Sequence, residues 1–485
     1  MQLLGEDLAL AVRAGDLVTL EGDLGAGKTT LARALIRAAA KDPLLEVPSP
    51  TFTLAQSYGK FSFGALAHLD LYRLEDPSEL EELGLDDALD VGVALVEWPL
   101  KGELTPDKAS LAITIQIDSD DGRHVSFSGR ADALDRVKRT LEIRSFLNAN
   151  ERNGFHRQHF FGDASARFYE TVFLEPTATP SILMNAPAQP DGPPIRNGKP
   201  YRQIAKLAED MSAFVGVDML LQQKGFRVPN IEAMDLDAGL LVIENLGSGS
   251  VIDQQRQPIA ERYMAAVETL AQMHEVEWPT EVQISGGKKH SIPPYDKEAM
   301  LIEVDLLPQW YAEHSLGRAL TVEEHDQFNA IWSDLIDKVQ QSPATLVLRD
   351  FHSPNIIWCG NQSGTDRIGM IDFQDAVMGP KAYDLASLAQ DARVDVSTAL
   401  ERELTDHYCA QRGQAFDEVE FRETLAIMSA QRATKILGIF VRLCKRDKKD
   451  SYLAHLPRIE SYLSRACSHP SLAELRHWVE TVLKA

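Results

Sequence analysis

Between an apolar run, Leu17–Leu20, and an alanine-rich run, Thr30–Ala40, stands the sequence Gly22-Asp23-Leu24-Gly25-Ala26-Gly27-Lys28-Thr29. It fits the pattern G-x-x-x-x-G-K-[ST], in which glycines let backbone N–H groups turn towards a phosphate. The flanking runs predict a buried strand before the loop and a helix after it, and the helix N-terminus adds a positive field. A glycine turn can also be purely structural, but this context favours a nucleotide site. The stretch therefore predicts an α/β domain built on a P-loop.

The residue types in this loop suit the binding of ATP and Mg²⁺. Lys28 would reach the β- and γ-phosphates, and the Thr29 hydroxyl would ligate the metal. A P-loop also needs carboxylates, and Asp70 and Glu97 each lie at the end of a later predicted strand. Either acid alone is as often a helix cap or a surface residue. The predicted nucleotide-binding set in and after the loop is Gly22, Leu24, Gly25, Ala26, Gly27, Lys28, Thr29 and Thr30.

A second pattern lies far downstream, in the strand and loop of the sequence Leu346-Val347-Leu348-Arg349-Asp350-Phe351-His352-Ser353-Pro354-Asn355. Another predicted strand then ends at Asp372, which Phe373 follows. The D-x-x-x-x-N pattern alone occurs by chance in many proteins, but its place after an apolar strand is typical of phosphoryl transfer in the kinase fold. We predict that Asp350 accepts or orients the proton of the acceptor hydroxyl, while Asn355 and Asp372 hold Mg²⁺.

The region before this motif is rich in strand patterns, after a helical pattern from Ala131 to Asn150. Consecutive antiparallel strands are predicted at His156–Phe161, Arg167–Leu174 and Ser181–Asn185, followed by a loop at Pro187–Pro200 and mostly helix from Ile259 onward. A turn of small residues, Phe161–Arg167, lies between two predicted strands, and its Gly162 and Ser165 would cover phosphates, although an ordinary hairpin loop has the same composition. Glu244 follows an apolar strand where a hinge would offer backbone groups to adenine. Downstream, we expect Asp384 to cap a helix or brace a loop rather than act in catalysis.

One expected cation is missing from this pattern. The third strand of a kinase offers a lysine to the phosphates, but Ser181–Ala186 contains none. Lys199, Lys206 or Arg167 are possible substitutes. Because this lysine is missing, an alternative function stays open, in which the second domain is a pseudokinase that binds nucleotide and regulates the first domain.

Composition limits the classes of function. The 485 residues are 44% hydrophobic and carry a net charge of −23, which favours two or three globular domains and argues against a direct grip on nucleic acid. The cysteines form no C-x-x-C pair, no run of eighteen apolar residues predicts a membrane span, and Glu6 and Asp7 interrupt any signal sequence. We therefore expect a cytoplasmic protein.

The first motifs occur in a recognisable order: Gly22–Thr30, Pro48–Leu54, His68–Arg73 and Glu97-Trp98. Over roughly residues 1–140 the chain resembles TsaE, the bacterial ATPase subunit of tRNA threonylcarbamoyladenosine biosynthesis. The resemblance implies catalytic roles for Glu97 and Asp70, and Thr29 and Glu97 near Mg²⁺. It also implies switch roles for Asp70 and Pro48–Thr53, and Arg123 is a further candidate for a phosphate or base contact. The implied partners are subunits of the threonylcarbamoyltransferase complex, with tRNA contacted only indirectly.

The later motifs are similar to those of the aminoglycoside phosphotransferase/choline kinase superfamily over about residues 142–485. Gly162–Ser165, Ile182–Pro187 and Leu306–Tyr311 resemble most closely the anomeric N-acetylmuramate/N-acetylglucosamine kinases of cell-wall recycling. That branch implies ATP-dependent phosphorylation of the C1 hydroxyl of the sugar. Other acceptors, such as an aminoglycoside, choline or homoserine, stay open. A cationic acceptor would need an acidic pocket, which Glu303 and Asp305 could supply, although such residues more often form a solvated face.

The expected fold class is α/β, a P-loop NTPase domain followed by a two-lobed protein-kinase-like (α+β) phosphotransferase domain. We place the first domain at 1–140 and the second at 141–485, with lobes at about 141–247 and 248–485. Each domain would bind one ATP and one Mg²⁺.

Overall fold

The computed structural model describes residues 1–119, 122–160, 167–175, 178–188, 192–414 and 416–483. The chain forms two compact units. The first comprises Met1–Asn185, Ala233–Asp235 and Leu240–Ile243, and the second comprises the remaining residues from 186 onward.

The first unit opens with a six-stranded sheet in the order β2-β3-β4-β1-β5-β6. Its strands are β1 Leu17–Glu21, β2 Ala55–Phe61, β3 Gly64–Asp70, β4 Gly92–Glu97, β5 Leu111–Ile117 and β6 Arg123–Gly129. The four central strands are parallel, and β2 and β6 run antiparallel at the edges. Because the central strands β1 and β4 are buried, they are continuous apolar runs, which is why the sequence predicted them. The polar edge strand β2 was missed.

The helices that belong to this sheet include the one predicted after the glycine loop and the one predicted at the end of the first domain. They are α1 Gln2–Ala11, α2 Lys28–Ala40, α3 Glu79–Glu82, α4 Leu85–Val91 and α5 Ala131–Ala149. The proposed domain boundary near residue 140 lies inside α5, which is one continuous helix, and it stays a prediction.

A second, five-stranded sheet has the order β12-β13-β9-β8-β7. The strands from here to β13 are β7 His156–Phe160, β8 Phe168–Phe173, β9 Ser181–Asn185, β10 Pro194–Arg196, β11 Lys199–Pro200, β12 Ile231–Asp235 and β13 Leu240–Ile243. The pairs from β13 to β7 are antiparallel, as the alternating patterns predicted. The predicted loop Pro187–Pro200 contains the short β10–β11 ladder.

The second unit is mostly helical, as expected. Its helices are α6 Tyr201–Ile204, α7 Met211–Gln223, α8 Ala260–Met273, α9 Lys297–Val304, α10 Glu313–Leu316, α11 Val322–Val339, α12 Ala382–Ala389, α13 Thr398–Gln411, α14 Glu418–Asp447, α15 Leu456–Ala466 and α16 Ala473–Trp478. None of the helices in the described part of the chain is long and apolar enough to cross a bilayer.

Short strand pairs interrupt these helices and shape the second site. They are β14 Glu281–Gln283 with β15 Lys289–Ser291, β16 Ala344–Val347 with β19 Val377–Pro380, and β17 Ile356–Trp358 with β18 Ile368–Met370. The sequence predicted β16 and β18 but not their partners. Strands of three or four residues carry too little periodicity to be recognised.

A buried carboxyl on α7 gives the second unit a pH-dependent stability. Asp218 is 1% exposed, its Oδ1 accepts a hydrogen bond from Gln222 Nε2 at 3.0 Å, and its Oδ2 has no hydrogen-bond partner. Burial raises the pKa of Asp218 to about 8 from its ordinary 3.8. The native state therefore binds this proton more tightly than the unfolded state, and stability falls as the pH rises from about 4 to about 8.

Asp218→Asn should remove that loss, because the neutral amide has no proton to release. We expect the melting temperature of the variant to exceed that of the wild type by a margin that grows to several degrees between about pH 5 and about pH 8. Asp334→Asn, at an exposed position on α11, is the matched control. A constant margin at all pH values would contradict the assignment.

Candidate active sites

The loop between β1 and α2 has a backbone that requires glycine at two positions. Gly22 has a φ of +151°, and a Cβ there would lie 2.4 Å from the carbonyl oxygen of Ile115 on β5. Gly27 has a φ of +111°. Leu24 and Gly25 are exposed in this loop, Ala26 is buried, and Thr30 is exposed in the first turn of α2. Together these residues form the glycine turn that the sequence predicted at the start of α2.

The ammonium of Lys28 lies inside this loop. Its Nζ donates to the carbonyl oxygens of Gly22 at 2.7 Å and Asp23 at 2.9 Å, and it lies 3.6 Å from the centre of the Trp98 ring. Burial lowers the pKa of Lys28 from its ordinary value, partly offset by Glu97 and other acids. An incoming phosphate would offer this ammonium a charged partner in place of two carbonyls, which is a stronger hydrogen bond.

Glu97 connects the loop to the sheet. Its Oε2 accepts a hydrogen bond from Thr29 Oγ1 at 2.8 Å, and its Oε1 lies 2.9 Å from His68 Nε2. Glu97 and His68 are both buried. A hydroxyl and a carboxylate are oxygen ligands of the kind that Mg²⁺ prefers, so the pair fits that ion. The sequence did not assign a role to His68, although its i, i+2 spacing from Asp70 places both on one face of β3.

Asp70 and the Pro48–Thr53 segment lie in contact, and their predicted switch role stays a prediction. Asp70 Oδ2 accepts hydrogen bonds from Ser49 Oγ at 3.1 Å and Thr51 Oγ1 at 2.6 Å. Its Oδ1 accepts from the backbone N–H of Tyr72 at 3.1 Å. The carboxylate therefore holds the segment by hydroxyl contacts that a nucleotide or metal could replace.

Arg123, at the start of β6, braces the loop from its far side. Its Nε donates to the carbonyl oxygen of Ala26 at 3.1 Å, and its Nη1 donates to the carbonyls of Ser119 and Gly122. The predicted contact with a phosphate or base stays a prediction.

Glu97→Gln should separate nucleotide binding from hydrolysis at this site. The amide keeps the shape of the side chain but removes the negative charge beside the Thr29 hydroxyl. We expect ATP affinity within a few-fold of the wild type and a hydrolysis rate lower by about 10²-fold or more. Trp98 emission reports binding because the ring lies against Lys28, and Trp98→Phe identifies the signal among the other tryptophans. Binding seen by calorimetry with unchanged Trp98 emission would contradict the proposed proximity.

The second unit brings together the three residues predicted for phosphoryl transfer. Asn355 Nδ2 donates to the carbonyl oxygen of Asp350 at 2.9 Å and lies 3.5 Å from Asp372 Oδ2. Arg349 and Asp372 have φ values of +70° and +60°, which are costly for residues with a Cβ. The amide and carboxylate oxygens fit Mg²⁺ chemically, although no three His, Cys, Asp or Glu side chains form a metal cluster anywhere in the described ranges.

Positive groups keep Asp350 ionised. Burial alone would raise the pKa of Asp350, but His352, Lys435, Arg432 and Arg349 together outweigh it, so the pKa lies below its usual value. The loop that carries Asp350 is held by Asp384, which accepts hydrogen bonds from the backbone N–H groups of Leu348 at 2.7 Å and Arg349 at 2.9 Å. The bracing function expected of Asp384 is therefore present, and burial raises the pKa of that carboxyl to about 7.

The expectation that Glu303 and Asp305 form a solvated face or an acidic pocket is wrong. Glu303 is fully buried and is paired with Arg349 and with Lys435 Nζ at 2.8 Å. Burial would raise the pKa of Glu303, but these two cations lower it to about 2. Asp305 is buried too, and it accepts hydrogen bonds from Arg196 and His325, both at 2.8 Å. Both charges are neutralised within the protein.

The residues predicted to hold the second nucleotide are only partly described. Gly162 and Ser165 lie outside the described residues. The carboxylate of Glu244 binds Arg227 and Asn230, and its backbone N–H donates to the carbonyl oxygen of Asn230 at 2.8 Å. That N–H is therefore already used, and the adenine contact predicted at Glu244 stays untested.

Two of the possible substitutes for the third-strand lysine, Lys199 and Lys206, have carboxylate partners. Lys199 Nζ lies 3.8 Å from Glu298, and Lys206 Nζ lies 3.0 Å from Asp296. Lys206 also lines a cavity of about 520 Å³ with Gln374. Gln374 donates from Nε2 to Asp372 Oδ1 at 3.0 Å, and its buried Oε1 has no partner. No local pattern marks Gln374 beyond its position two residues after Asp372.

Comparisons with known proteins match a different family to each part of the chain. A family model described as threonylcarbamoyl adenosine biosynthesis protein TsaE matches residues 1–125, and one described as phosphotransferase enzyme family matches residues 199–422. An N-acetylmuramate/N-acetylglucosamine kinase from Caulobacter vibrioides is 32% identical over 69% of this chain and 94% of its own. The kinase of the same description from Pseudomonas putida is 32% identical over 61% and 79%. A TsaE protein from Streptomyces coelicolor is 43% identical over 27% and 90%.

The fold and the second site define a mixed α/β enzyme with a protein-kinase-like phosphotransferase fold in its C-terminal region. The chain belongs to two families, TsaE in its first part and the N-acetylmuramate/N-acetylglucosamine kinases in its second. It is therefore a fusion of two ATP-using enzymes.

Proposed function

We propose that the first part is a P-loop NTPase that hydrolyses ATP to drive a threonylcarbamoyltransferase complex acting on adenosine 37 of tRNA. The hydrogen bond from Thr29 to the buried Glu97 carries this proposal, because it joins a metal-binding hydroxyl to a carboxylate beside the loop. Lys28 would neutralise the phosphates, and Asp70 would release or hold the Pro48–Thr53 segment. The acidic net charge suits a subunit that meets tRNA through its partners.

We propose that the second part transfers the γ-phosphoryl group of ATP to the C1 hydroxyl of N-acetylmuramate or N-acetylglucosamine. The approach of Asn355 to both Asp350 and Asp372 carries this proposal. The ionised Asp350 would accept a hydrogen bond from the acceptor hydroxyl and orient its oxygen. Mg²⁺ held by Asn355 and Asp372 would offset the charge of the phosphates.

Two observations weigh on the alternatives. The neutralised Glu303 and Asp305 remove the acidic pocket that was considered for a cationic acceptor. The lack of a lysine in β9 keeps the regulatory pseudokinase as a second candidate.

An acceptor screen distinguishes these functions. Acceptor-dependent ADP release, above the rate without an acceptor, would be followed with the two amino sugars, an aminoglycoside, choline and homoserine. Turnover with the amino sugars supports the proposed kinase, turnover only with another acceptor changes the substrate class, and nucleotide binding without any turnover supports the pseudokinase.

A further inference from the structure

Helix α1 of the first unit packs directly against α2, the helix that begins at Lys28. At Gly5 the two helices are so close that a Cβ would lie 2.4 Å from the Cβ of Ala34. The side chain of Met1 reaches the loop, because a Cβ at Gly27 would lie 3.2 Å from its methyl group. Any change in the position of α2 when the loop binds a ligand therefore acts on α1.

The other side of α1 carries a buried carboxylate that is bound by arginines from later in the chain. Asp7 is 1% exposed. It accepts hydrogen bonds from Arg144 Nε at 3.0 Å and Nη2 at 2.9 Å, on α5, and from Arg157 Nη1 at 2.7 Å, on β7. Next to it, His156 Nδ1 lies 2.7 Å from Glu6 Oε1. These contacts cross the boundary proposed near residue 140.

Arg157 extends this connection into the five-stranded sheet. It is 2% exposed, and it binds Glu170 of β8 with Nε at 2.7 Å and Nη2 at 3.1 Å. It also donates to the carbonyl oxygen and the hydroxyl of Thr140, both at 3.0 Å. A buried cluster of this kind is costly to break from one side, because the remaining charges would be left without partners. The sheet and α1 therefore tend to open together.

We propose that Asp7 and Arg157 are positioning residues that join the first nucleotide site and the five-stranded sheet into one cooperative unit. ATP bound at the loop then stabilises β7 and β8, which the sequence assigns to the phosphotransferase domain. The inference rests on the proposed nucleotide binding by the first part. Occupancy of the first site would then regulate the stability of the five-stranded sheet, which was predicted to belong to the second domain.

The size of the effect follows from linkage. A ligand at 100 times its dissociation constant lowers the population of any opened state that cannot bind it by about 100-fold. If β7 and β8 open only with the loop and α2, their amide hydrogen exchange slows by the same factor. If they open independently, ATP at the first site leaves their exchange unchanged.

Hydrogen exchange of the full chain, with and without saturating ATP, tests this directly. We expect slowing of up to about 100-fold in α2, β7 and β8 of the wild type. Because ATP at the second site could also protect the sheet, Lys28→Ala is measured in parallel, and the slowing in β7 and β8 should fall by at least about 10-fold in it. Equal slowing of β7 and β8 in both proteins would overturn the proposal.

Asp7→Asn should keep the ATP-dependent slowing in α2 and lose it in β7 and β8. The matched control is Asp16→Asn, since Asp16 is also buried between two arginines, Arg130 and Arg136, but lies outside the contact with β7. If Asp7→Asn does not fold, Arg157→Lys replaces it, because a lysine keeps the charge but cannot bind Asp7, Glu170 and Thr140 together.

The outcomes separate this proposal from the one on which it rests. Slowing in α2 without slowing in β7 and β8 leaves the first nucleotide site intact and contradicts the coupling. No slowing in α2 contradicts nucleotide binding at the loop itself. Retained coupling in both Asp7→Asn and Arg157→Lys would show that other contacts carry it and would overturn the role of this cluster.

Discussion

Asp350→Asn is expected to reduce phosphate transfer to the amino sugar by about 10³-fold or more while ATP affinity at the second site changes only a few-fold. The reason is that neighbouring groups have different functions in the proposed mechanism. In the proposed mechanism Asp350 would face the acceptor as an anion, whereas Asn355 and Asp372 would hold the metal and the nucleotide. The variant amide has nearly the same shape but neither the charge nor the basicity to orient the acceptor proton.

Steady-state rates and ATP titrations of the full chain measure both quantities. Asp366→Asn, an exposed aspartate in the loop before β18, is the matched control and should behave as the wild type. A parallel loss of ATP affinity would mean that Asp350 acts in nucleotide binding. Normal transfer would remove it from the mechanism.

Lys28→Ala is expected to lower ATP hydrolysis by the first site by about 10²- to 10³-fold, in the presence of the partner complex. The variant loses the Lys28 ammonium, which lies between two carbonyl groups and the Trp98 ring. In the nucleotide complex this ammonium would bind the phosphates instead. Thr29→Ala should have a comparable effect, because it removes the hydroxyl bound to Glu97.

Two substitutions serve as controls for this prediction. Thr29→Ser keeps the hydroxyl and should retain most of the activity, and Lys101→Ala removes an exposed lysine of the same domain. Normal hydrolysis by Lys28→Ala with the partners present would contradict the assignment of the loop.

The sequence was sufficient for features that depend on local order. The strand, glycine loop and helix around Lys28 are contiguous in the chain, and so are the strand and loop that carry Asp350. Such motifs can be recognised without knowledge of tertiary contacts. The position of Glu97 at the end of a predicted strand made it a candidate carboxylate, and the resemblance to TsaE placed it near Thr29.

The remaining features depend on partners that are distant in the chain. Glu303 looked like a surface acid because its neutralising cations, Arg349 and Lys435, come from other elements. From its sequence position, Asp7 indicated only that a signal sequence is interrupted, whereas in the structure it is buried and bound by Arg144 and Arg157. No local pattern distinguishes a buried, paired charge from a solvated one.

The central claim is that one chain carries two separate phosphoryl-transfer chemistries, and a single NMR experiment tests it most directly. The full chain, Lys28→Ala and Asp350→Asn are each incubated with ATP, Mg²⁺ and N-acetylmuramate, and the phosphorus spectrum is recorded for a phosphate coupled to the anomeric proton. We predict this sugar 1-phosphate with the full chain, a substantial amount with Lys28→Ala even if coupling slows it, and almost none with Asp350→Asn. Absence of the sugar phosphate in all three, with ATP bound at the second site, would contradict the account.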